Sequence, residues 1–490
     1  MNNILKNKKF KYGSVALAFT AIFVAIIILL NAILTALDSK YGLYAEISGE
    51  QRYEISDRSH ELLDGTDNEI RIVFCSPRDI LQNSGLMSMI VTLAEKFEAE
   101  FPDISVSFVD IGRNISEARA LAGASTETKL ESTDVIIRSD KTGKVRIVKG
   151  PSFFTLSSDG QSYYGFNGEM RFVESILAVV NASDDKVAII TGHGEDENLA
   201  ALGEVLFGAG YDQTEQVKVD LSTGEIPENT RLVIINNPKR DFLGHSSAGA
   251  GNADEISKLN KYLQSYGNLF VLIDNETPAL PELSELLSEW GIAYASGLVV
   301  EDAENSVSTD GRGIIAVYNH LTENSAGEQI AKKSDVSSSR TIMNSSTPLV
   351  LDADKGASAI LASSPSAIVF NGKEPVAQGT WPLMAISSRF EYDENQNERY
   401  SHVIVSGSAD FVHADMASAA TGNADLMRNI LGVVSTEKVA SNIPVKPFQD
   451  TSIAGIGTAT ARDMTVKVTV IPAVLVLIIG IVVFVKRKRL

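Results

Sequence analysis

The sequence predicts an α/β protein: a two-domain body carried between an N-terminal and a C-terminal transmembrane helix. Three observations lead there. Residues 12–37 form a run of 26 without a charge, and residues 468–485 another of 18; a helix needs roughly 20 apolar residues to cross the hydrocarbon layer. Between these runs, short β-branched stretches alternate with stretches whose apolar residues recur at helical spacing, the rhythm of a layered α/β fold. That rhythm is clearest at KVAIITGHGEDENLAALGEVLFGAGY, residues 186–211, where strand, glycine turn and helix follow without interruption. The expected divisions are a tail (1–12), a span (13–37), a first α/β domain (46–181), a second (184–435), a linker (436–465), a span (466–485) and a tail (486–490).

In chain order, residues 38–66 form a juxtamembrane segment with a helix at 57–63, and 70–75 read as a strand. Leu86, Ile90, Leu93, Ala94, Phe97 and Phe101 recur at helical spacing, so 85–100 is an amphipathic helix. Pro102 ends it, and 104–109 returns as a strand, completing a βαβ-type unit. Residues 114–131 are helix or loop. Residues 135–138 and 145–148 read as a hairpin around Lys141-Thr142-Gly143, and 169–180 as the helix leading into the second domain.

There the strand 187–191 enters Gly192-His193-Gly194, where glycine admits backbone angles that other residues avoid. Glu195, Asp196 and Glu197 are expected to open the next helix, because carboxylates suit the positive end of the helix dipole. Leu199, Leu202, Val205 and Leu206 supply its apolar face, and Gly208 and Gly210 stop it. Strands follow at 217–221 and 232–236, then a polar loop (237–251), and a helix (253–266) with Asn252 and Glu255 as its capping pair. A strand at 269–273 and a helix at 282–290 continue the alternation. After a strand at 298–300, an acidic, Ser-rich insertion running to about Ser339 is expected to be exposed and mobile. Strands at 366–369, 383–387 and 402–406 come next, the last entering a second strand-end turn, Gly407-Ser408-Ala409-Asp410-Phe411. A helix at 425–434 and a tether at 439–463 close the body.

Charge sets the expected orientation. Lys6, Lys8, Lys9 and Lys11 precede the first span, and Lys486, Arg487, Lys488 and Arg489 follow the second. The positive-inside rule puts both termini in the cytoplasm of a two-pass plasma-membrane protein, with the body outside. Without those eight residues the body carries about −27, from 35 basic against 62 acidic side chains, a poor match for nucleic acid or anionic headgroups. The first run is longer than the apolar core of a cleaved signal peptide and is followed by a weak cleavage site, which favours a retained anchor. The lone Cys75 excludes an internal disulfide and sits in an apolar strand, as a small buried hydrophobe would.

Candidate chemistry is sparse. Gly192-His193-Gly194 has the spacing of two of the three glycines of a dinucleotide fingerprint, but Glu197 stands in the third position and three carboxylates would face the pyrophosphate. No P-loop is present, so this chain is not expected to bind nucleotide. His193 with Glu195 could serve acid–base or metal chemistry, although a turn histidine satisfied by backbone groups is the plainer reading. Asp410, His413 and Asp415 could coordinate a cation, against the plainer reading of a solvated loop. No nucleophile elbow, zinc-protease helix or strand-end cysteine is found, and no enzyme is expected. The candidate binding cleft is lined by Gly192, His193, Gly194, Glu195, Asp410 and Phe411, with no catalytic or metal-binding set. The alternative is a cell-envelope hydrolase or carbohydrate-binding protein using the turn from Gly192 to Glu195.

Several stretches together resemble the GldG-like auxiliary component of gliding-motility-type ABC transport systems. They are YGLYAEISGEQRYEIS after the first span, KVAIITGHGE, LLSEWGIAYASGLVVED, SHVIVSGSADFV with Gly422-Asn423-Ala424-Asp425-Leu426, and the final TVIPAVLVLIIGIVVFVKRKR. They cover nearly the whole chain in the family's order. The resemblance implies a non-catalytic exported component beside a separate ATPase and a separate multi-span permease, with no cofactor of its own. It also implies a second domain akin to glutamine-amidotransferase-like folds, with a flavodoxin-like sheet and no catalytic cysteine. The polar loop at 237–251 is longer than the family pattern.

Overall fold

The computed structural model describes residues 52–448, apart from 67–68, 124–128, 157–161, 182–183, 197–198, 212–215, 245–253, 321–324, 336–339, 393–394, 414–420 and 435–437. Both apolar runs, both basic tails, the segment 38–51 and the tether beyond 448 lie outside the described residues. Among the described residues, no helix is long and apolar enough to cross a membrane. They form a mixed α/β structure with ten α-helices and several sheets.

The first part contains, in order, α1 (Asp57–Leu63), β1 (Ile70–Phe74), α2 (Arg78–Gln82), α3 (Gly85–Glu100), β2 (Ile104–Phe108), α4 (Ile115–Leu121), β3 (Val135–Ser139), β4 (Val145–Val148), β5 (Phe154–Leu156), β6 (Tyr163–Phe166) and α5 (Gly168–Val180). A four-stranded sheet runs β2-β1-β3-β4. The β1–β2 pair is parallel, as a helical crossover requires, and β3 pairs with both β1 and β4 antiparallel. Alternation along the strands sends Ile70, Ile72 and Phe74 to a face packed by α3 and α5. Val73 and Ile136 go to the opposite face, over Ala118 of α4. Cys75 is buried beside Asp134, and burial, reinforced by that carboxylate, pushes its thiol up to about 11, consistent with an inert packing role.

The second part contains β7 (Lys186–Thr191), α6 (Ala200–Gly208), β8 (Gln216–Asp220), β9 (Thr230–Asn236), α7 (Glu255–Gln264), β10 (Asn268–Leu272), α8 (Pro281–Glu289), β11 (Ile292–Tyr294), β12 (Leu298–Val300), β13 (Gly313–Ile315), β14 (Val317–Tyr318), α9 (Ala326–Ser334), β15 (Ile342–Asn344), β16 (Leu349–Leu351), β17 (Ala357–Ala362), β18 (Ile368–Asn371), β19 (Glu374–Gln378), β20 (Pro382–Tyr392), β21 (Glu398–Ser406) and α10 (Asn423–Val434). An eight-stranded sheet runs β14-β17-β20-β21-β10-β9-β7-β8. Its β8, β7, β9, β10 and β21 are parallel, so these five stand in the order 2-1-3-4-5 by chain position. The near-continuous apolar runs of these strands are explained by burial on both faces. Ile189, Ile234, Phe270 and Ile404 meet one core with Leu206 and Leu431. Ile190, Ile235, Val271 and Val405 meet another with Leu259 and Leu287.

Four expectations are corrected. The helix after the glycine turn begins at Ala200, not at Glu195, because the Glu195 carboxylate is drawn back to the turn itself. The cap of α7 is Asp254, accepting from Ser257 N–H; Glu255 is 1% exposed and has a different partner. The stretch expected to be exposed up to Ser339 contains β13, β14 and α9, with Ile314, Ile330 and Ala331 fully buried. The supposed tether starts as packed structure: Ala440 and Ile443 join the core of the first part, and β22 (Lys446–Pro447) pairs with β6.

That last segment lies beside the chain's entry at residues 52–64. Glu169, on α5 and 2% exposed, binds both. Its Oε1 accepts from Ser56 N–H at 2.7 Å, Ser56 Oγ at 2.6 Å and Ser59 Oγ at 2.6 Å, while Lys446 Nζ lies 2.8 Å from Oε2. Burial works against the charged carboxylate, but Lys446 and the two serines outweigh it and hold Glu169 below the usual carboxylate range. Arg58 Nε donates to Ser441 O at 3.2 Å, and Lys438 Nζ to Asp64 O at 2.8 Å.

Candidate functional site

In an open parallel sheet, ligands favour the carboxyl ends of the strands, where the strand order reverses. Here that point lies between β7 and β9, at the predicted glycine turn. Gly192 has φ +109° and Gly194 φ +76°, and a Cβ on Gly192 would sit 3.0 Å from the Asp220 carboxyl carbon. Glycine is therefore required at 192 for both conformation and space.

The turn is closed on its neighbours. The His193 carbonyl accepts from both Lys239 and Arg240 N–H at 2.9 Å, and Arg240 Nη2 donates to Gly192 O at 2.6 Å. The Glu195 carboxylate accepts from His193 N–H at 2.8 Å. Asp196 N–H donates to Asn236 O at 3.0 Å, and Asn236 Nδ2 returns a bond to Asp196 O at 3.0 Å. The chain after the turn is thus tied to the end of β9.

His193 is 6% exposed and points inward. Its Nδ1 lies 3.2 Å from Glu195 Oε1, its Nε2 3.0 Å from Glu255 Oε2, and its ring stacks on Phe242 at 4.0 Å. A carboxylate at each ring nitrogen suits the doubly protonated imidazole. Burial favours the neutral ring, but the two carboxylates outweigh it and raise the His193 pKa. The same Glu255 oxygen accepts from Leu243 N–H at 2.7 Å. The carboxylates stand on opposite sides of the ring and do not converge on a common point. Among the described residues, no group of three or more His, Cys, Asp or Glu is placed to hold a metal ion.

The second predicted turn reaches the first through His413. Its Nε2 lies 3.1 Å from Asp196 Oδ2 and its Nδ1 3.2 Å from Asp410 Oδ1, while Asn344 Nδ2 donates to Asp410 Oδ2 at 2.7 Å. Asp415 lies outside the described residues. Of the predicted cleft residues, Asp410 is half-buried with both carboxylate oxygens engaged; Phe411 is fully buried in the core against the sheet, and His193 is enclosed by its partners. The plainer reading of His193 also needs correction: side-chain carboxylates satisfy its ring, not backbone groups. The residue that sequence reasoning missed is Glu255. Its signal was its place on the buried stripe of α7 with Leu259 and Leu263, where a carboxylate requires a partner.

A substantial open cleft lies elsewhere, in the first part of the chain. It has a volume of about 590 Å³ and lies where α1, the end of α3 and the start of β2 meet.

No protein-family model matches the chain, and no curated protein matches it. Among solved structures, it is similar to an mmIFT52 N-terminal domain at 16% identity and a TM-score of 0.37, covering 52% of this chain and 99% of that one. It is also similar to the cytoplasmic protein STM3548 from Salmonella typhimurium at 14% identity and a TM-score of 0.30, covering 52% of this chain and 100% of that one. At these scores neither likeness bears on function.

Proposed function

We propose that this chain is a non-enzymatic, membrane-tethered accessory subunit of an ABC-type transport complex of the gliding-motility (GldG-like) kind. Its body lies outside the plasma membrane, both termini are cytoplasmic, and a separate ATPase and a separate multi-span permease complete the machine. On this reading the first and second parts are its two domains, the second a glutamine-amidotransferase-like domain with the flavodoxin-like 2-1-3-4-5 strand order. The observation that carries the proposal is the shared anchoring of entry and exit at Glu169. A body held by an anchor at each end needs its two ends side by side, and one buried carboxylate binds both. The carboxylates on both ring nitrogens of His193 fit a structural role for that side chain.

Co-purification in mild detergent tests the proposal: an ATPase and a permease should be recovered with the chain. Recovery of neither, or survival of the body when protease is added to sealed cells together with its loss in inside-out vesicles, would overturn it. Hydrolase activity in the purified chain that is lost in His193→Ala would favour the envelope-enzyme alternative.

A further inference from the structure

We propose that the cleft between α1 and the end of α3 is a docking groove for a cationic, amphipathic peptide segment of a partner protein. The inference does not depend on the transport reading. The floor is apolar: Leu63, Phe101, Ile104 and Ile176 line it. The rim is acidic, from Asp57, Glu61, Asp64, Glu100 and Asp103. Glu61 is paired with Arg58 at 2.7 Å, and Glu100 contacts His60 at 3.1 Å and Lys96 at 3.8 Å. The side chains of Asp57, Asp64 and Asp103 have no ionic partner among the described residues.

Helix polarity adds an independent argument. The C-terminus of the 16-residue α3 opens on this cleft, and its last turn holds no basic residue. A helix C-terminus carries partial negative charge and is stabilised by cations; here it carries Glu98 and Glu100 instead. Local preference is violated, as happens where function requires it, and a bound cation would relieve the violation. An apolar floor calls for apolar side chains beside that cation, and about 590 Å³ has room for several. A basic segment with apolar residues on one face meets both demands.

The test uses the full chain in detergent and a labelled 14-residue helix of leucine and lysine, read against empty micelles. Binding should weaken at least tenfold in the triple variant Asp64→Asn, Glu100→Gln, Asp103→Asn. It should persist in a control with the same charge change elsewhere, Glu228→Gln, Glu285→Gln, Glu374→Gln. In the unaltered chain, carbodiimide labelling of Asp57, Asp64 and Asp103 should fall when the peptide is added, a readout independent of whether the variant folds. Absence of binding, equal weakening in both triples, unchanged labelling, or binding of spermidine without the peptide would each overturn the proposal.

Discussion

The two ends of the eight-stranded sheet each bury one histidine, in opposite electrical settings. At the carboxyl end His193 lies between Glu195 and Glu255, which raise its pKa against the pull of burial. At the amino end His402 is equally buried at 6% exposure, but its polar contact is neutral: Ser388 Oγ lies 2.8 Å from Nδ1. Burial there lowers the pKa to about 4. At similar exposure the pKa is thus raised in one ring and lowered in the other, and the two carboxylates beside His193 set the difference in direction.

The largest expected effect comes from breaking the charged end. Glu255→Ala removes one of the two carboxylates on His193 and the acceptor of Leu243 N–H, and should cost about 3 kcal/mol in chemical denaturation. The stabilisation from the raised His193 pKa should be full below the unfolded value near 6.5 and fade as pH rises through the folded value. The stability gap between the native chain and His193→Gln, measured at pH 6 and at pH 9, should accordingly be wider at pH 6.

His402 should behave in the opposite sense. Its folded pKa lies below its unfolded one, so the stability it contributes is present above pH 6.5 and lost as pH falls toward 4. On the order of 2–3 kcal/mol is at stake. Urea titrations of the native chain and His402→Gln at pH 7 and pH 4.5 should show the native chain losing more. Equal losses would mean that the two ends do not differ as described.

A smaller effect is expected at the glycine turn. Gly194→Ala forces alanine to φ +76° and brings its Cβ to 3.3 Å from Lys239 Cβ, at a cost of about 1–2 kcal/mol. The smallest effect belongs to the closure across β9. Asn236→Ala removes the donor to Asp196 O without burying a charge, at about 1 kcal/mol, and hydrogen exchange at the Asp196 amide should quicken by severalfold.

The local part of this architecture was legible in the sequence. The helix from Gly85 to Glu100 and the hairpin from β3 to β4 were recognisable from periodicity and turn residues alone. What escaped depends on partners far along the chain. β17 reads ASAILA, poor in β-branched residues, yet it is buried throughout and pairs with β14 and β20 far along the chain. α9 lies in a polar stretch, but Ile330 reaches the main core and Ala331 is fully buried. Glu255 looked like a capping residue because its neighbours permit that role; its real partner, His193, lies 62 residues away. Residues 438–448 have linker composition, and only the few apolar side chains among them betray the packing.

The shared anchor at Glu169 has a mechanical consequence. Tension applied between the two ends of the chain would be borne first by Ser56, Lys446 and the short β6–β22 pairing. The large sheet, with both its histidines, sits outside that load path. Pulling on residues 52 and 448 would then leave the interior slack until that joint gives.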